Sequence, residues 1–509
     1  MPESGLEKKS RFGQNWTYMQ SAGLINQLGA WSAGKGPLQQ KLARALTQAI
    51  RTGSIQTGIR LPSERALAQA LSLSRTTVVA AYDILRDGGW LESRSGSGTW
   101  VSACSPVVTA ARGAAQAGAL AASPLFGLLS NRDSGDLLDF ALGSPLPLTG
   151  LPADIFHLPA DEYSAVLRDH LYYPLGLPPL RLALAAYYSA MGVPTRPEHI
   201  LVTNGAQQGI ALSAALYLQR GDRALVEDPT YFGAIDAFRA VGARLSGLPP
   251  EGAGVNPVVL RDRISATAAR LVYITPTYQN PTGSVMPRAA RKETAHIAAE
   301  LGVPVIDDGT LSELVLDSNP PPPIAAFDPE APIITLGSLS KLLWPGLRIG
   351  WIRATEPIIS RLARLKSATD LASPVLTQTL AVRLLASVPI ARELRRRELR
   401  PRRGLLAALL AEHLPDWTFR SPAGGLFLWT KLPSGDAREF AQAALRHGVV
   451  VLPGPVMSVS DRYSAYLRLP FLAEPATLRI AVRRLATAWR DYRSTLGESS
   501  SQHQSLLLV

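Results

Sequence analysis

The sequence predicts a large α/β domain with a mostly parallel sheet, preceded by a small helical domain that ends in a β-hairpin. From about Leu137 to Thr495, apolar strand-like runs alternate with amphipathic helical segments, a pattern typical of parallel sheets. From Pro37 to about Val101, helical periods lead into two short strand-like runs around a glycine-rich turn. Residues 103–136 are rich in Ala, Gly and Ser and show no firm period, which favours a linker.

The chain of 509 residues is too long for a single hydrophobic core. We divide it into an N-terminal arm (1–34), a small domain (35–102), the linker (103–136), a large domain (137–495) and a disordered tail (496–509). The runs that we expect to form the sheet of the large domain are HILVTNG, DRALVEDP, RLVYITP, VPVIDD and IITLGSLS.

The composition is that of a globular protein, with 46% hydrophobic and 18% charged residues. No apolar run approaches the roughly 18 residues that a membrane helix needs, and the polar start MPESGLEKKSRFG lacks the apolar centre of a signal peptide. The single cysteine, Cys104, excludes an intrachain disulfide framework and a cysteine-based metal cluster. We therefore expect a cytoplasmic protein without a metal site.

Basic residues are in excess, most clearly in the small domain. The formal net charge of the whole chain is +12 at pH 7. Between Lys35 and Ser102 there are nine Lys or Arg against four Asp or Glu, a local net charge of +5. A local excess of this kind suits a phosphate backbone and indicates a polyanionic partner.

The small domain has the spacing of a helix-turn-helix followed by a wing. A first helical stripe in LQQKLARALTQAIRTG stops at Gly53. Ser63 and Ser74 are placed to cap two further helices, ERALAQAL and RTTVVAAYDILRDGG, which a short turn separates. WLESRSGSGTWV then has the pattern of strand, glycine turn and strand, which brings Arg94 and the backbone near Gly96 towards a groove.

Arg75, Thr76 and Thr77 lie at the start of the third helix and largely off its buried stripe. At this end of a recognition helix, Arg can bind guanine and Thr can contact a thymine methyl or a phosphate. Arg65 or Arg75 alone could equally be an ordinary solvated residue. The ordered set of motifs, however, resembles the DNA-binding domain of GntR-type regulators, and the resemblance implies DNA contacts by Arg65, Arg75, Thr76, Thr77 and Gly96.

The segment SLSKLLWPGLRIGW (338–351) is the strongest local signal in the large domain. Lys341 follows the apolar run IITLG, so we expect it to project from the end of a buried strand. A lysine forms imines only when it is unprotonated, which requires burial and suitable neighbours. Ser338 and Arg348 flank it and can hold a phosphate dianion. A surface lysine at a helix start is the alternative for this segment alone.

Other segments place suitable groups directly after strands. Gly205, Ala206 and Gln207 begin a helix whose free N–H groups can receive a phosphate. Tyr231 in EDPTYFG can stack on an aromatic ring, and Asn280 lies in the Pro-Gly turn of ITPTYQNPTG. VIDDG ends a strand with two carboxylates, and YLRLPF carries an arginine that can bind a carboxylate. Together these groups suit pyridoxal phosphate, whose ring needs a carboxylate at N1.

In this order the segments resemble the fold-type I aminotransferase family. The motifs that match are YPLGLPPLR, TNGAQQG, DPTYFG, TPTYQNPTG, VIDDG, SLSKLLWPGLRIGW, PAGGLFLW and YLRLPF. The resemblance implies that Lys341 forms a Schiff base with pyridoxal 5'-phosphate and that Asp307 pairs with pyridine N1, with Asp308 as the second choice. The other implied contacts are Asn280 to O3′, Tyr231 on the ring, Ser338, Ser340, Arg348 and residues 205–207 to the phosphate, and Arg468 to the α-carboxylate of a ligand.

Two positions depart from the family pattern. Many relatives have a tyrosine a few residues beyond the N1 aspartate, where this chain has Thr310. One hydrogen bond to O3′ is therefore expected to be missing. The tyrosine that relatives place before GLPPLR is out of register, which leaves Tyr172 or Tyr173 as substitutes.

A GntR-type domain joined to an aminotransferase-like domain is the arrangement of the MocR family of bacterial regulators, which residues 37–495 resemble. The resemblance implies a pyridoxal-phosphate-dependent regulator on operator DNA, associated with the nucleoid, that senses an amino acid, an amine or the cofactor itself through an aldimine at Lys341. It also implies a head-to-tail homodimer. The alternatives are an active aminotransferase with an attached DNA-binding domain and a scaffold that no longer binds the cofactor. Thr310 and the DNA-binding domain favour the regulator, with residual transaminase half-reactions.

A second basic stretch, RELRRRELRPRR (392–403), contains seven arginines and two glutamates. It is either a solvated helix face, which we favour, or an auxiliary DNA-facing surface on the large domain.

Overall fold

The computed structural model describes residues 6–11, 14–19, 21–28, 31–32, 36–51, 54–94, 98–102, 137–168, 172–250 and 253–505. Buried apolar residues between Leu24 and Val101 form one core. Those between Phe140 and Tyr492 form the cores of a second domain. The predicted linker, residues 103–136, lies outside the described residues.

The N-terminal segment has more structure than an arm. Strand β1 (Leu6–Arg11) pairs antiparallel with β2 (Gln14–Met19), and helix α1 (Ser21–Leu28) follows. Leu24 and Trp31 are buried in the core of the small domain. The predicted boundary at residue 34 is therefore wrong, because these apolar side chains pack with the small domain. We call residues 21–102 the head.

The remainder of the head follows the predicted order of helices and hairpin. Its elements are α2 (Leu38–Arg51), α3 (Glu64–Ala70), α4 (Arg75–Asp87), β3 (Leu91–Arg94) and β4 (Gly98–Val101). Both predicted caps are present: Ser63 Oγ accepts a 3.2 Å hydrogen bond from the N–H of Ala66, and Ser74 Oγ accepts one of 3.2 Å from Thr77. Each cap satisfies an N–H group that has no partner within its helix.

The large domain alternates strands and helices, as predicted. Its elements in chain order are β5 (Leu138–Phe140), α5 (Ala160–Arg168), α6 (Pro178–Ala190), β6 (Ile200–Thr203), α7 (Ala206–Tyr217), β7 (Arg223–Glu227), α8 (Phe232–Ala240), β8 (Arg244–Leu248), α9 (Pro257–Thr267), β9 (Leu271–Ile274), α10 (Arg288–Leu301), β10 (Val305–Asp308), β11 (Ile333–Ser338), β12 (Gly350–Arg353), α11 (Glu356–Asp370), α12 (Val375–Ala386), α13 (Val388–His413), β13 (Thr418–Phe419), β14 (Phe427–Lys431), α14 (Ala437–Arg446), β15 (Val449–Pro453), β16 (Tyr466–Pro470) and α15 (Pro475–Ser505).

The central sheet has seven strands in the order β6-β12-β11-β10-β9-β7-β8. Strand β12 runs antiparallel to both of its neighbours, and the other pairings are parallel. The predicted mostly parallel α/β sheet is confirmed. A second sheet has the order β13-β14-β16-β15-β5. The loops that carry the candidate site follow the carboxyl ends of parallel strands, the edge where such sheets bind ligands.

The C-terminal segment differs from the prediction. Helix α15 continues to Ser505, so most of the predicted disordered tail has helical backbone. No proline interrupts this segment, and each residue added to an existing helix gains a backbone hydrogen bond. In the part of the chain that the structure describes, no helix is both long and apolar enough to cross a membrane.

The arginine-rich stretch of helix α13 has both buried and exposed members. Arg395 is 1% exposed and donates hydrogen bonds to the carbonyl oxygens of Leu342 and Leu343. Arg392 forms an ion pair with Glu313. The interpretation as a solvated face is therefore wrong for Arg395, whereas the side chain of Arg392 is 36% exposed and stays partly solvated. Arg397 and Arg400 are exposed, and each lies within ion-pair distance of an acidic residue, Glu393 and Asp317 respectively.

Candidate functional site

A cavity of about 1210 Å³ lies at the carboxyl edge of the central sheet. Most of the residues that the sequence singled out line it. They are Ala206, Gln207, Tyr231, Asn280, Asp308, Ser338, Ser340, Lys341, Arg348 and Arg468. Side chains that are separated by up to 262 positions in the chain therefore meet in one place.

Lys341 lies at this cavity, three residues beyond β11. Its Nζ donates a 2.7 Å hydrogen bond to the carbonyl oxygen of Gly143. Burial, with the positive charges of Arg468 and Arg348, lowers the pKa of Lys341 from 10.5 to about 8. A substantial fraction of the amine is therefore neutral near physiological pH, as imine formation requires.

The turn at the start of α7 forms a candidate anion-binding site, which we call the anion cup. It consists of Gly205, the first N–H groups of α7 and the guanidinium of Arg348. Gly205 adopts a φ of +83°, and a Cβ at this position would lie 2.7 Å from the guanidinium of Arg348. Arg348 donates a 2.8 Å hydrogen bond to the carbonyl oxygen of Asn204. The first N–H groups of the helix have no intrahelical partner and carry the positive end of its dipole. The close approach of glycine, guanidinium and helix start is suited to a phosphate.

Two serines, Ser338 and Ser340, add hydroxyl groups to the lining of the same cavity. Ser338 Oγ donates to the carbonyl oxygen of Ile349 at 2.8 Å and accepts from the N–H of Ser340 at 3.1 Å. Ser340 Oγ is buried and has no hydrogen-bond partner among the described residues. A buried hydroxyl without a partner is costly, and a phosphate oxygen in the cavity would satisfy it.

Sequence reasoning missed the support beneath this cup. Asp370 Oδ2 accepts hydrogen bonds from the side-chain amides of Asn204 (2.9 Å) and Gln208 (2.7 Å). Lys366, which is fully buried, pairs with the other oxygen of Asp370 at 2.9 Å. These contacts hold the turn before α7 in position. Asp370 lies more than 160 residues from the turn, so no local pattern indicates the contact.

The aspartate at the cavity is Asp308 rather than Asp307, which corrects the sequence-based assignment. Asp307 Oδ2 accepts a 2.9 Å hydrogen bond from the N–H of Ile324 and does not line the cavity. Asp308 lines the cavity and accepts from Tyr273 Oη at 2.5 Å and from the N–H of Thr310 at 3.0 Å. Adjacent residues of a strand point to opposite faces, so only one of the pair can face the cavity.

Arg468 lies on the same cavity with Asn280. Its Nη1 donates a 3.0 Å hydrogen bond to Asn280 Oδ1, and its guanidinium lies 4.1 Å from the ring centre of Phe427. Burial lowers the pKa of Arg468 to about 9. Its Nε is buried and has no hydrogen-bond partner among the described residues. A carboxylate would supply both the missing acceptor and the missing negative charge.

The two departures from the family pattern are visible in the structure. Thr310 lines the cavity at the position where many relatives have tyrosine. Tyr172 is 73% exposed, and neither Tyr172 nor Tyr173 lines the cavity. The tyrosines that were expected as substitutes therefore do not reach the cavity of this chain.

Three of the residues expected to contact DNA are exposed. Arg65, Arg75 and Thr76 are exposed. Thr77 is half-buried, and its Oγ1 lies 2.8 Å from Ser74 Oγ. Arg94 ends β3, and Gly96 lies outside the described residues.

The lining fits pyridoxal phosphate. An amine with a lowered pKa, a carboxylate and an anion cup with an unsatisfied hydroxyl surround one cavity, and an aromatic ring, Tyr231, lies beside them. These are the groups that a protein provides to this cofactor.

Comparisons with known proteins divide the chain in the same way. Residues 162–485 match the aminotransferase class I and II family, and residues 38–101 match the gntR family of bacterial regulatory proteins. The chain is 32% identical over 447 residues to the uncharacterized HTH-type transcriptional regulator YisV of Bacillus subtilis (strain 168), a match that covers 85% of this chain and 92% of YisV.

Two further relatives extend the comparison. The probable rhizopine catabolism regulatory protein MocR of Rhizobium meliloti is 31% identical over 404 residues, which cover 75% of this chain and 78% of MocR. LysN, the α-aminoadipate aminotransferase of Thermus thermophilus, was solved in complex with N-(5'-phosphopyridoxyl)-L-leucine. It has a TM-score of 0.67 and 30% identity, and the match covers 75% of this chain and 97% of LysN. The chain therefore belongs to the MocR-type regulators, in which a GntR-type helix-turn-helix domain is fused to a domain of the aminotransferase class I and II family.

Proposed function

We propose that this protein is a pyridoxal-phosphate-dependent regulator that binds operator DNA with its head and senses an amino acid, an amine or the cofactor itself at Lys341. One observation carries the proposal. The chain joins a head with an exposed recognition-helix start to a cavity that brings Lys341, Asp308 and Arg468 together. Operator binding would place the protein at the bacterial nucleoid, in the cytoplasm.

Different residues of the cavity would bind different parts of the cofactor. Pyridoxal phosphate supplies an aldehyde that condenses with amines and a ring that withdraws electrons from them. Lys341 would hold its aldehyde carbon, and Asp308 would keep the proton on the pyridine nitrogen. The start of α7, the two serines and Arg348 would bind the phosphate. Asn280 is placed to donate to the ring hydroxyl, and Tyr231 to pack against the ring face.

A ligand that carries a carboxylate would be oriented by Arg468. The carbonyl oxygen of Gly143, which accepts from Lys341 Nζ at 2.7 Å, would hold the lysine amine whenever that amine is not bonded to the cofactor. Such a ligand can change the DNA-bound population only if it binds the two conformations of the protein with different affinities.

We further propose a head-to-tail homodimer on paired DNA half-sites. Two heads would contact two half-sites, as symmetric operators require. In the structure of the single chain, the head contacts the large domain of the same chain. An exchange of heads between protomers would form the same contact with the partner, as it does in domain-swapped dimers.

The second candidate is an active aminotransferase with an attached DNA-binding head. The convergence of Lys341, Asp308 and Arg468 favours it, because transamination uses the same three groups. Thr310 at the usual tyrosine position and the head favour the regulator.

The experiment combines DNA binding with product analysis on the full chain. DNA fragments selected from genomic DNA by the protein are titrated with wild type and Lys341→Ala, with and without pyridoxal phosphate and a panel of amino acids. A change in DNA affinity that requires Lys341, without steady keto-acid release, supports the regulator. Keto-acid release at ordinary enzyme rates of roughly 1 s⁻¹ or more, with DNA affinity unaffected by the ligands, overturns it in favour of the enzyme.

A further inference from the structure

Helix α14 of the large domain contacts the head through two polar side chains. Arg446 Nη1 donates a 2.7 Å hydrogen bond to the carbonyl oxygen of Leu71. Trp31 Nε1 donates a 2.9 Å hydrogen bond to Gln442 Oε1. Leu71 and Trp31 are buried, with exposed fractions of 0% and 7%. The contact therefore involves the helix-turn-helix itself and the segment before it.

The pairing of Arg446 with Leu71 is electrostatically favourable. Leu71 is the C-cap residue of α3. Carbonyl groups at the end of a helix have no intrahelical donor and carry the negative end of the dipole. A guanidinium satisfies such a group with a charge-assisted hydrogen bond, which is stronger than a neutral one.

The same helix forms a wall of the candidate cavity. Arg438, Ala441, Gln442 and Leu445 of α14 line it. Ile25 of the head lines it too, although it belongs to the core of the head. Gln442 thus contacts the head and borders the cavity at once.

The docked head keeps its DNA-binding end accessible. Arg75 and Thr76 remain exposed in the structure, in which Arg446 holds the turn that precedes them. Docking therefore fixes the orientation of the recognition helix without covering it.

We propose that α14 is the docking surface for the head and that the docked head closes the cavity around Lys341, so that ligand entry and head orientation are coupled. The coupling rests on the proposed function, because the proposed function assigns a ligand to this cavity. Ile25 is the part of the head that closes the cavity, and the contacts of Arg446 and Trp31 hold it there.

The closing role is tested on the full chain loaded with pyridoxal phosphate. Hydroxylamine removes the cofactor aldehyde, and the loss of visible absorbance gives its rate. Arg446→Met and Trp31→Phe each remove one docking donor, and neither residue lines the cavity. Loss of a charge-assisted hydrogen bond lowers the equilibrium constant for docking by about tenfold. The undocked fraction rises accordingly, so the hydroxylamine reaction of Arg446→Met should be several-fold faster than that of wild type.

Arg479→Met is the matched control. Arg479 is exposed on α15, and its Nη1 donates within the helix to the carbonyl oxygen of Pro475. Its reaction with hydroxylamine should equal that of wild type. Equal rates for Arg446→Met, Trp31→Phe and wild type would overturn the closing role.

A cross-link tests the docking surface without any cofactor. Trp31→Cys and Gln442→Cys are combined in a Cys104→Ser background and treated with a short thiol cross-linker. A linked product supports docking, and its size in a denaturing gel assigns the contact to one chain or to exchanged heads. The absence of a linked product overturns the docking surface. A protein that binds no pyridoxal phosphate but cross-links normally would refute the proposed function and its coupling, while the docking surface would stand.

Discussion

Tyr273 donates a 2.5 Å hydrogen bond to Asp308 Oδ2 from the neighbouring parallel strand. Both side chains are buried, and the second oxygen of Asp308 accepts from the N–H of Thr310. Two donors thus fix the carboxylate that borders the cavity. Thr310 contributes its backbone N–H to this contact. Its side chain lacks the phenol ring that many relatives have at this position.

Tyr273→Phe tests this positioning. Loss of a hydrogen bond to a charged acceptor is expected to weaken pyridoxal phosphate binding by about tenfold, measured by titration of the visible absorbance band. The matched control is Tyr278→Phe, because Tyr278 Oη donates to the carbonyl oxygen of Ser318 away from the cavity. Equal affinity of the two variants would show that Tyr273 does not position Asp308.

The two neighbouring aspartates are expected to behave differently. Asp308→Asn removes the carboxylate that would hold the proton of the pyridine nitrogen, so cofactor affinity should fall by about tenfold or more. Asp307→Asn changes a carboxyl group that accepts a hydrogen bond from the N–H of Ile324. The cofactor affinity of this variant should stay close to that of wild type, while its free energy of unfolding falls. Equilibrium titration and thermal unfolding separate the two effects. The reverse order of affinities would restore Asp307 as the ring partner.

DNA binding should depend on the recognition helix and not on the arginine-rich helix. Arg75→Ala is expected to lower affinity for the selected DNA by roughly 1–3 kcal/mol if it contacts a base. Arg397→Ala removes an exposed arginine that pairs with Glu393, and it should change neither the affinity nor the salt dependence. Fluorescence anisotropy over a range of salt concentrations measures both. A comparable loss in Arg397→Ala would assign α13 to the DNA interface.

Glu227 should make the large domain less stable as the pH rises. Burial raises the pKa of Glu227 from 4.5 to about 8, although Thr275 and Gln279 donate hydrogen bonds to it. Between about pH 4.5 and about pH 8, the Glu227 carboxyl therefore keeps its proton in the folded state and has lost it in the unfolded state. Its contribution to stability is complete below about pH 4.5 and is lost progressively as the pH rises towards about 8.

Glu227→Gln removes this dependence. Urea unfolding gives the free energy of unfolding of wild type and variant at about pH 5 and about pH 8. The free energy of unfolding of the variant, relative to that of wild type, should be higher at about pH 8 than at about pH 5. The upper limit of this gain is about 1.4 kcal/mol for each unit by which folding raises the pKa of Glu227. A constant difference between wild type and variant at both values would mean that Glu227 titrates normally.

The sequence was sufficient for features that depend on local pattern. Short apolar runs predict the strands that end at Thr203, Glu227, Ile274, Asp308 and Ser338. A hydroxyl before each helical stripe predicts the caps Ser63 and Ser74. The residues after these strands converge on one cavity because parallel strands end at a common edge.

Features that depend on distant contacts were not predictable. Asp307 and Asp308 end a strand that is buried on both faces, so polarity does not show which one faces the cavity. The local sequence of α13 predicts a solvated face because Glu313 and Asp317, which pair with Arg392 and Arg403, lie about 80 residues away in the chain. The apolar residues of α1 were visible, but their packing on the head depends on the tertiary fold.

The most direct test of the account is borohydride reduction of the full chain with pyridoxal phosphate while it is bound to its selected DNA, followed by peptide mapping. We expect one pyridoxyl group per chain, on the peptide that contains Lys341, and none on Lys341→Ala. A protein that remains unlabelled, or that is labelled equally on other lysines, would contradict it.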